Sequence, residues 1–302
     1  MSEASRLTLD KAFTDAACVL RQAGMETPEL DARLLLCHAA GLTHEAYIAR
    51  TREELAGDAA AQLDALIARR LAREPVSRII GCREFYGRDF LVDRYTLDPR
   101  PDTETLIEAA LELVDDQGLR DRPLSLLDLG TGTGCILITL LAELPKAHGL
   151  GTDISDGALA LAAANAERLG VADRASFVAS DWLDGVDGKF GLIVSNPPYI
   201  RSADISGLAH EVARHDPRAA LDGGPDGLDA YRRVAARAGQ VLDPGGKILV
   251  EIGYDQAQAV ATIFREAGLT PDGEAAIRRD LAGRPRVVVA SAPGAAGTPS
   301  HP

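Results

Sequence analysis

Three features of this sequence predict an α/β fold: a mostly parallel sheet with helices on both faces, preceded by a small helical domain. First, strand-like apolar runs alternate with helical ones from Leu124 onward, the pattern of parallel strands joined by helical crossovers. Second, Gly130-Thr131-Gly132-Thr133-Gly134 falls between such a strand and a helix, where an open parallel sheet offers a ligand crevice. Third, residues 7–74 read as a helical module, with apolar residues at helical spacing.

The chain of 302 residues is long enough for one large domain and a smaller one. A formal net charge of −13 argues against a protein that lives on nucleic-acid phosphates or anionic lipid, because that binding needs clustered Lys and Arg. Neither a membrane nor direct nucleic-acid binding is therefore expected. Cys18, Cys37, Cys82 and Cys135 form no C-x-x-C pair and sit in apolar or helical surroundings; buried, reduced thiols are expected rather than disulfides or a metal site. The first residues, with Glu3 and Asp10 and no apolar segment, do not read as a signal peptide. A cytoplasmic protein is expected.

In the helical module, Thr8 or Asp10 caps a first helix with Phe13, Ala16, Ala17 and Leu20 on one face, ended by Gly24. A second starts after Pro28 and stops at Gly41, with Leu30, Leu34, Leu35 and His38 as its stripe. A third runs from about Asp58 to Glu74 on Leu63, Leu66, Ile67 and Leu71, closed by Pro75. Arg69, Arg70, Arg73, Arg78, Arg83 and Arg88 make a local basic run. It reads as a solvated face, with an acidic or RNA-bearing partner as the alternative.

Residues 76–98 change to short β-like pieces, Arg78 to Ile80 and Phe90 to Val92, around a turn at Tyr86-Gly87-Arg88-Asp89, and read as a hairpin linker. The domain layout is then 1–75 helical, 76–98 linker, 99–292 sheet domain and 293–302 a small-residue, proline-bearing tail expected to be disordered. Pro99 to Glu104 precede a helix on Leu106, Ile107, Ala110, Leu111 and Val114, with Asp102 or Thr103 as its cap. Strands follow at Ser125 to Leu129, up to Asp153, at Ser176 to Ala179, Leu192 to Ser195 and Lys247 to Ile252. Arg286 to Ala290 is a late strand pairing antiparallel near an edge, and helices fill Gly134 to Leu144, Ala158 to Leu169 and Leu228 to Val241.

The chemistry gathers at the strand ends. Glycines in the loop Gly130 to Gly134 allow a tight turn and a close ligand, and the helix that follows favours a negative group at its N–H end. The spacing is G-x-G-x-G, not the dinucleotide fingerprint G-x-G-x-x-G, which disfavours an NAD oxidoreductase. Asp153 closes the next strand, at the spacing where a carboxylate meets ribose hydroxyls, and Asp181-Trp182 one strand later is placed to line an adenine pocket. A nucleoside carrying a carboxylate rather than a pyrophosphate fits these features, and S-adenosyl-L-methionine fits best. Ser195-Asn196-Pro197-Pro198-Tyr199 ends a further strand. Its prolines break the ladder and leave carbonyls free, so the Asn196 side-chain oxygen and the Pro197 carbonyl can accept both N–H bonds of a planar amino group. Tyr199 can lie on that group's flat face.

On these motifs the chain resembles the Rossmann-type S-adenosylmethionine-dependent methyltransferases, and more narrowly the HemK/PrmC family. That family methylates the side-chain amide of the glutamine in the Gly-Gly-Gln motif of peptide chain release factors. The resemblance runs from the helical module through Pro99-to-Glu104, Gly130-to-Gly134, Asn196-to-Tyr199 and Arg279-Asp280 to Arg286. It implies a Rossmann-like class I sheet of seven strands and a release factor as protein substrate; the helical domain is expected to help hold that substrate, since a protein needs more surface than a glutamine pocket. Cofactor contacts are implied for Gly130, Thr131, Gly132, Thr133, Gly134, Asp153, Trp182 and Asn196, with Asp181 beside them. Glutamine contacts are implied for Asn196, Pro197, Pro198 and Tyr199. The chain has Asp216-Pro217 where the family usually has Glu-Pro. The Asn-Pro-Pro-Tyr element is shared with adenine-amino methyltransferases acting on DNA or RNA, in which the tyrosine stacks a flipped base; that activity and a non-catalytic nucleotide-binding module are the competing readings.

Overall fold

The computed structural model describes residues 7–293. Contacts divide the chain into two compact units, Met1–Cys82 with His210–His215, and Arg83–Ala209 with Asp216–Pro302. From Gly294 on, the expected tail lies outside the described residues.

The first unit is helical: α1 (Leu9–Gln22), α2 (Pro28–Ala40), α3 (His44–Arg50), α4 (Gly57–Leu71) and α5 (Val76–Ile80). The Thr8 hydroxyl, not Asp10, caps α1 by accepting from the Lys11 N–H at 3.3 Å. Leu20, Leu35, Leu36, Leu63, Leu66 and Ile67 form its core. Leu30, Leu34 and Leu71, expected in apolar stripes, are instead exposed. In α2 the buried side is Asp31, Ala32, Leu35, Leu36 and Ala39, because Asp31 turns inward to meet Arg70. Arg78 to Ile80, expected as a strand, are helical: Ile79 N–H donates to the Pro75 carbonyl at 3.0 Å and Gly81 stops the turn at φ 72°. The short helix α3, capped by Thr43, has too few residues to show a period.

The basic run is not a solvated face. Arg70, with 9% of its side chain exposed, pairs with Asp31 at 2.8 Å and with Glu211 at 3.2 Å. Arg69 pairs with Glu74 at 2.5 Å, Arg73 donates to the Ala23 carbonyl at 2.8 Å, and Arg88 pairs with Glu143 at 2.6 Å. Partners that spacing does not show take up most of these charges, and of the six only Arg69 and Arg83 are exposed. All four cysteines are free; Cys135 is buried, and Cys18 is exposed against expectation, on the outer side of α1.

The hairpin of β1 (Cys82–Phe85) and β2 (Arg88–Leu91) turns at Tyr86 and Gly87, both at positive φ. After a 3-10 turn at Pro101–Thr103, α6 (Glu104–Asp116) leads into β3 (Leu124–Leu129), α7 (Cys135–Glu143), β4 (Ala147–Asp153), α8 (Asp156–Arg168), β5 (Ala175–Ala179) and β6 (Phe190–Ser195). The six-residue α9 (His210–His215) belongs to the first unit. Next come α10 (Asp229–Val241), β7 (Leu242–Glu251), α11 (Ala257–Glu266), β8 (Thr270–Pro271), β9 (Ile277–Arg279) and β10 (Pro285–Ser291). Seven strands run in the order β5-β4-β3-β6-β7-β10-β8, and β9 pairs off this path with β10. From β5 to β7 all pairs are parallel; β10 is antiparallel to β7, β8 and β9. The late strand is therefore internal, its edge covered by strands too short to show in the sequence.

Neighbouring residues on one strand feed opposite cores. Leu126, Leu192 and Leu249 pack with α6 and α7 on one face, while Leu127, Ile193 and Ile248 pack with α10 and α11 on the other. The mostly parallel, two-faced sheet and the helical N-terminal region accord with the predicted fold class.

Candidate active site

The chain leaves β3 toward β4 and β5, then returns to the other side of β3 as β6, so the switch in strand order lies between β3 and β6. Register then sets the site. Leu129 is level with both Thr152 and Ser195, and Ser195 with Val250. Gly130, Asp153, Asn196 and Glu251 are thus the next residues on four adjacent parallel strands.

The glycine loop is shaped by backbone angles. Gly130, Gly132 and Gly134 have φ of 70°, 55° and 79°, the left-handed region that side chains disfavour. A Cβ on Gly134 would also stand 2.7 Å from Ile138 Cδ1. Gly132 N–H donates to Asp153 Oδ2 at 3.0 Å, and Ser155 N–H to Asp153 Oδ1 at 2.9 Å. One strand-end carboxylate therefore ties two loops together and still has lone pairs for other donors. Thr131 donates from Oγ1 to Asp128 Oδ2 at 2.7 Å, and Thr133 Oγ1 accepts from Cys135 N–H at 3.3 Å. Burial pushes the Asp128 carboxyl up to about 7, against the Thr131 hydroxyl bond, and pushes the Cys135 thiol up to about 12. Asn165 links the Thr133 carbonyl (2.9 Å) to both backbone groups of Leu91 in the hairpin.

Trp182 has φ 59°, a strained position for a bulky residue. Its carbonyl accepts from Ser180 Oγ at 3.0 Å, and its ring lies near Gly130. Asp181 is paired with Arg233 at 2.5 Å.

These residues open on a cavity of about 910 Å³, the upper end of the range for small-molecule sites. Of the predicted site residues, Gly130, Thr131, Gly132, Thr133, Asp153, Asp181, Trp182, Asn196 and Pro198 line it. Gly134, Pro197 and Tyr199 are not among the lining residues. Tyr199 packs against the α10/α11 core and points its hydroxyl at Glu251 Oε1, 3.4 Å away; burial raises its pKa. Arg100, which lines the cavity, reaches Asp216 at 2.7 Å, so the shorter acid of Asp216-Pro217 still holds an arginine.

Several neighbours of the Asn-Pro-Pro-Tyr turn were not legible in the sequence. Asn196 Nδ2 donates to Thr103 Oγ1 at 3.1 Å, so Thr103 is not a side-chain cap of α6, and Asp102 pairs with Arg286 at 2.8 Å. Gln256 Nε2 donates to the carbonyls of Tyr199 (3.0 Å) and Gly227 (3.1 Å), and Ile200 N–H donates to the Leu221 carbonyl at 3.0 Å. A Cβ on Gly223 would lie 2.7 Å from the Pro198 oxygen. Glu251, 1% exposed, is pushed up to about 7 by burial, opposed by the Thr103 hydroxyl and the Arg286 guanidinium. A pairing signal was present for none of them, because each joins segments far apart in the chain.

Among the described residues no group of three or more His, Cys, Asp or Glu could hold a metal ion, and no helix is long and apolar enough to cross a membrane.

Residues 11–81 match the family model of the PrmC N-terminal domain, and residues 111–225 that of the methyltransferase small domain. A release factor glutamine methyltransferase of Rhodospirillum rubrum is 48% identical over 289 residues, covering 96% of this chain and 86% of that protein. One from Bradyrhizobium diazoefficiens is 47% identical over 283 residues, 94% of each chain. A bifunctional methyltransferase of Rickettsia conorii is 36% identical over 94% of this chain and 58% of its own length. With relatives this similar along nearly its whole length, the chain belongs to the release factor glutamine methyltransferase family.

Proposed function

We propose that this chain methylates the side-chain amide nitrogen of the glutamine in the Gly-Gly-Gln motif of peptide chain release factors, with S-adenosyl-L-methionine as donor. The observation that carries the reading is Asn196: it lines the cavity at the end of β6, level with the glycine loop, and commits its amide N–H side to Thr103. That leaves its oxygen as an acceptor for a substrate N–H.

The chain suits the cofactor. The left-handed Gly130 and Gly132 leave that part of the cavity wall without side chains, Asp153 offers spare carboxylate lone pairs to ribose hydroxyls, and the Trp182 ring stands near Gly130. When bound, S-adenosyl-L-methionine supplies an electrophilic methyl on a sulfonium sulfur.

A carboxamide nitrogen is a poor nucleophile, and no ordinary side chain removes its proton. The protein's part is orientation. Asn196 Oδ1 and the Pro197 carbonyl, outside the ladder because β6 ends at Ser195, accept the two N–H bonds and turn the nitrogen's lone pair toward the methyl. As bond formation builds positive charge on nitrogen, both oxygens stabilise it without reorganising. The transfer is direct: the N–C bond would form as the methyl's bond to sulfur breaks, the sulfur would leave as a neutral thioether, and the nitrogen's surplus proton would pass to solvent.

Incubation with labelled cofactor and release factor or DNA tests the reading by which polymer gains label. Label in the release factor, lost with Asn196→Ala while cofactor affinity stays within roughly tenfold, is the expected result. Label in DNA, or normal turnover by the variant, overturns it. The adenine reading would need the Tyr199 ring beside a flipped base; its place against the core weighs against that.

The helical domain is proposed to help dock the release factor, since a protein substrate needs more surface than a glutamine pocket. Leu30 and Leu34, exposed one turn apart on α2, give the test. Changing both to Ser is expected to raise KM for the release factor more than for a short Gly-Gly-Gln peptide; an equal effect on both removes the docking role.

A further inference from the structure

A threonine hydroxyl has one proton and two lone pairs, so it can face an asparagine amide in either sense. If Thr103 donated to Asn196, the asparagine oxygen would turn toward it, and the amide would show its N–H side to the cavity. Two sets of N–H donors would then face each other at the substrate nitrogen. The structure has the opposite arrangement, Asn196 Nδ2 donating to Thr103 Oγ1 at 3.1 Å. Some other group must hold the hydroxyl proton.

Glu251 is that group. It is the residue of β7 level with Asn196, one past the Ser195–Val250 rung, and its side chain is buried. Its Oε2 is buried and left without a hydrogen-bond partner among the described residues, an acceptor open to a rotating hydroxyl, and the Thr103 hydroxyl favours the charged form of the carboxyl. Other groups fix the rest of Glu251. Tyr199 donates to its Oε1 at 3.4 Å, and the Tyr231 hydroxyl donates to the Glu251 backbone carbonyl at 2.9 Å. The Arg286 guanidinium attracts it and is itself fixed by Asp102 at 2.8 Å and Asp280 at 3.2 Å.

We infer that Thr103 and Glu251 are positioning residues: the Glu251 carboxylate accepts the Thr103 hydroxyl proton in a hydrogen bond, so the Thr103 oxygen accepts from Asn196 and aims the Asn196 oxygen at the substrate amide. The inference rests on the amide-methylation reading and adds to it what orients the acceptor.

Thr103→Val keeps the branched shape and removes no helix cap, since this side chain makes none. Its kcat on release factor is expected to fall about tenfold or more, with KM and cofactor affinity within about threefold, and Thr103→Ser recovers most of the loss. Glu251→Gln can offer an N–H to Thr103, so the order of donors is no longer imposed; kcat falls about fivefold or more, again without loss of cofactor affinity. Both kcat values within about twofold of the parent protein, or an equal loss in Thr103→Ser and Thr103→Val, overturn the inference while leaving the amide reading standing. A parent protein that transfers no methyl to release factor overturns that reading, and the inference with it. Should Thr103→Val not fold, Glu251→Gln decides alone.

Discussion

Gly227 sits so close to Tyr199 that a Cβ at Gly227 would stand 2.5 Å from the Tyr199 carbonyl oxygen, at a residue whose φ is already 76°. The segment at Gly223–Gly227 is therefore a mould for the Asn-Pro-Pro-Tyr turn. Gly227→Ala must push that turn or itself aside, at a cost of roughly 1–3 kcal/mol in stability. The expected result is a lower denaturation midpoint and a kcat down by about tenfold or more with cofactor affinity little changed. A variant with parental kcat shows that the turn's position is not critical.

Asp153 ties Gly132 and Ser155 together through one carboxylate. In Asp153→Asn one of the two acceptors becomes a donor facing an N–H, so one loop comes loose. Cofactor affinity measured by calorimetry is expected to weaken about tenfold or more. Unchanged affinity removes Asp153 from the cofactor site.

Asp128 and Glu251 are buried carboxyls, each pushed up to about 7, whereas an unfolded carboxyl titrates near about 4. Between those values the folded state binds more protons than the unfolded one, so these groups make stability fall as pH rises through the window. Thermal melts across it are expected to show a flatter pH dependence for Asp128→Asn than for the parent protein. An identical slope shows that Asp128 titrates normally.

Arg70 and Asp31 form a pair with 9% and 7% of their side chains exposed, braced by Thr27 on Asp31 and by Glu211 on Arg70. Arg70→Ala strands a buried carboxylate and is expected to cost about 3–5 kcal/mol in denaturant unfolding. Arg70→Met with Asp31→Leu is expected to recover most of that loss. A single substitution that costs under about 1 kcal/mol identifies the pair as effectively solvated.

Local pattern carried much of this molecule. The apolar runs at Leu124–Leu129 and Phe190–Ser195, the glycine loop and the strand-end Asp153 and Asn196 each declare themselves within a few residues, because backbone angles, periodicity and ladder-breaking prolines are short-range effects. Where periodicity was too brief, as at Val76–Ile80 or Thr270–Pro271, expectation failed or was silent.

What the amino-acid order alone determined, then, was which segments become strands and which chemical groups stand at their ends. Strand order and register decided the rest. They set Asn196 beside Gly130 on one side and Glu251 on the other, brought Thr103 to the Asn196 amide from 93 residues away, and gave Arg70 and Arg88 of the basic run distant acidic partners. Such contacts form only when distant segments pack, and packing is governed by the shape of the whole core rather than by any stretch of sequence.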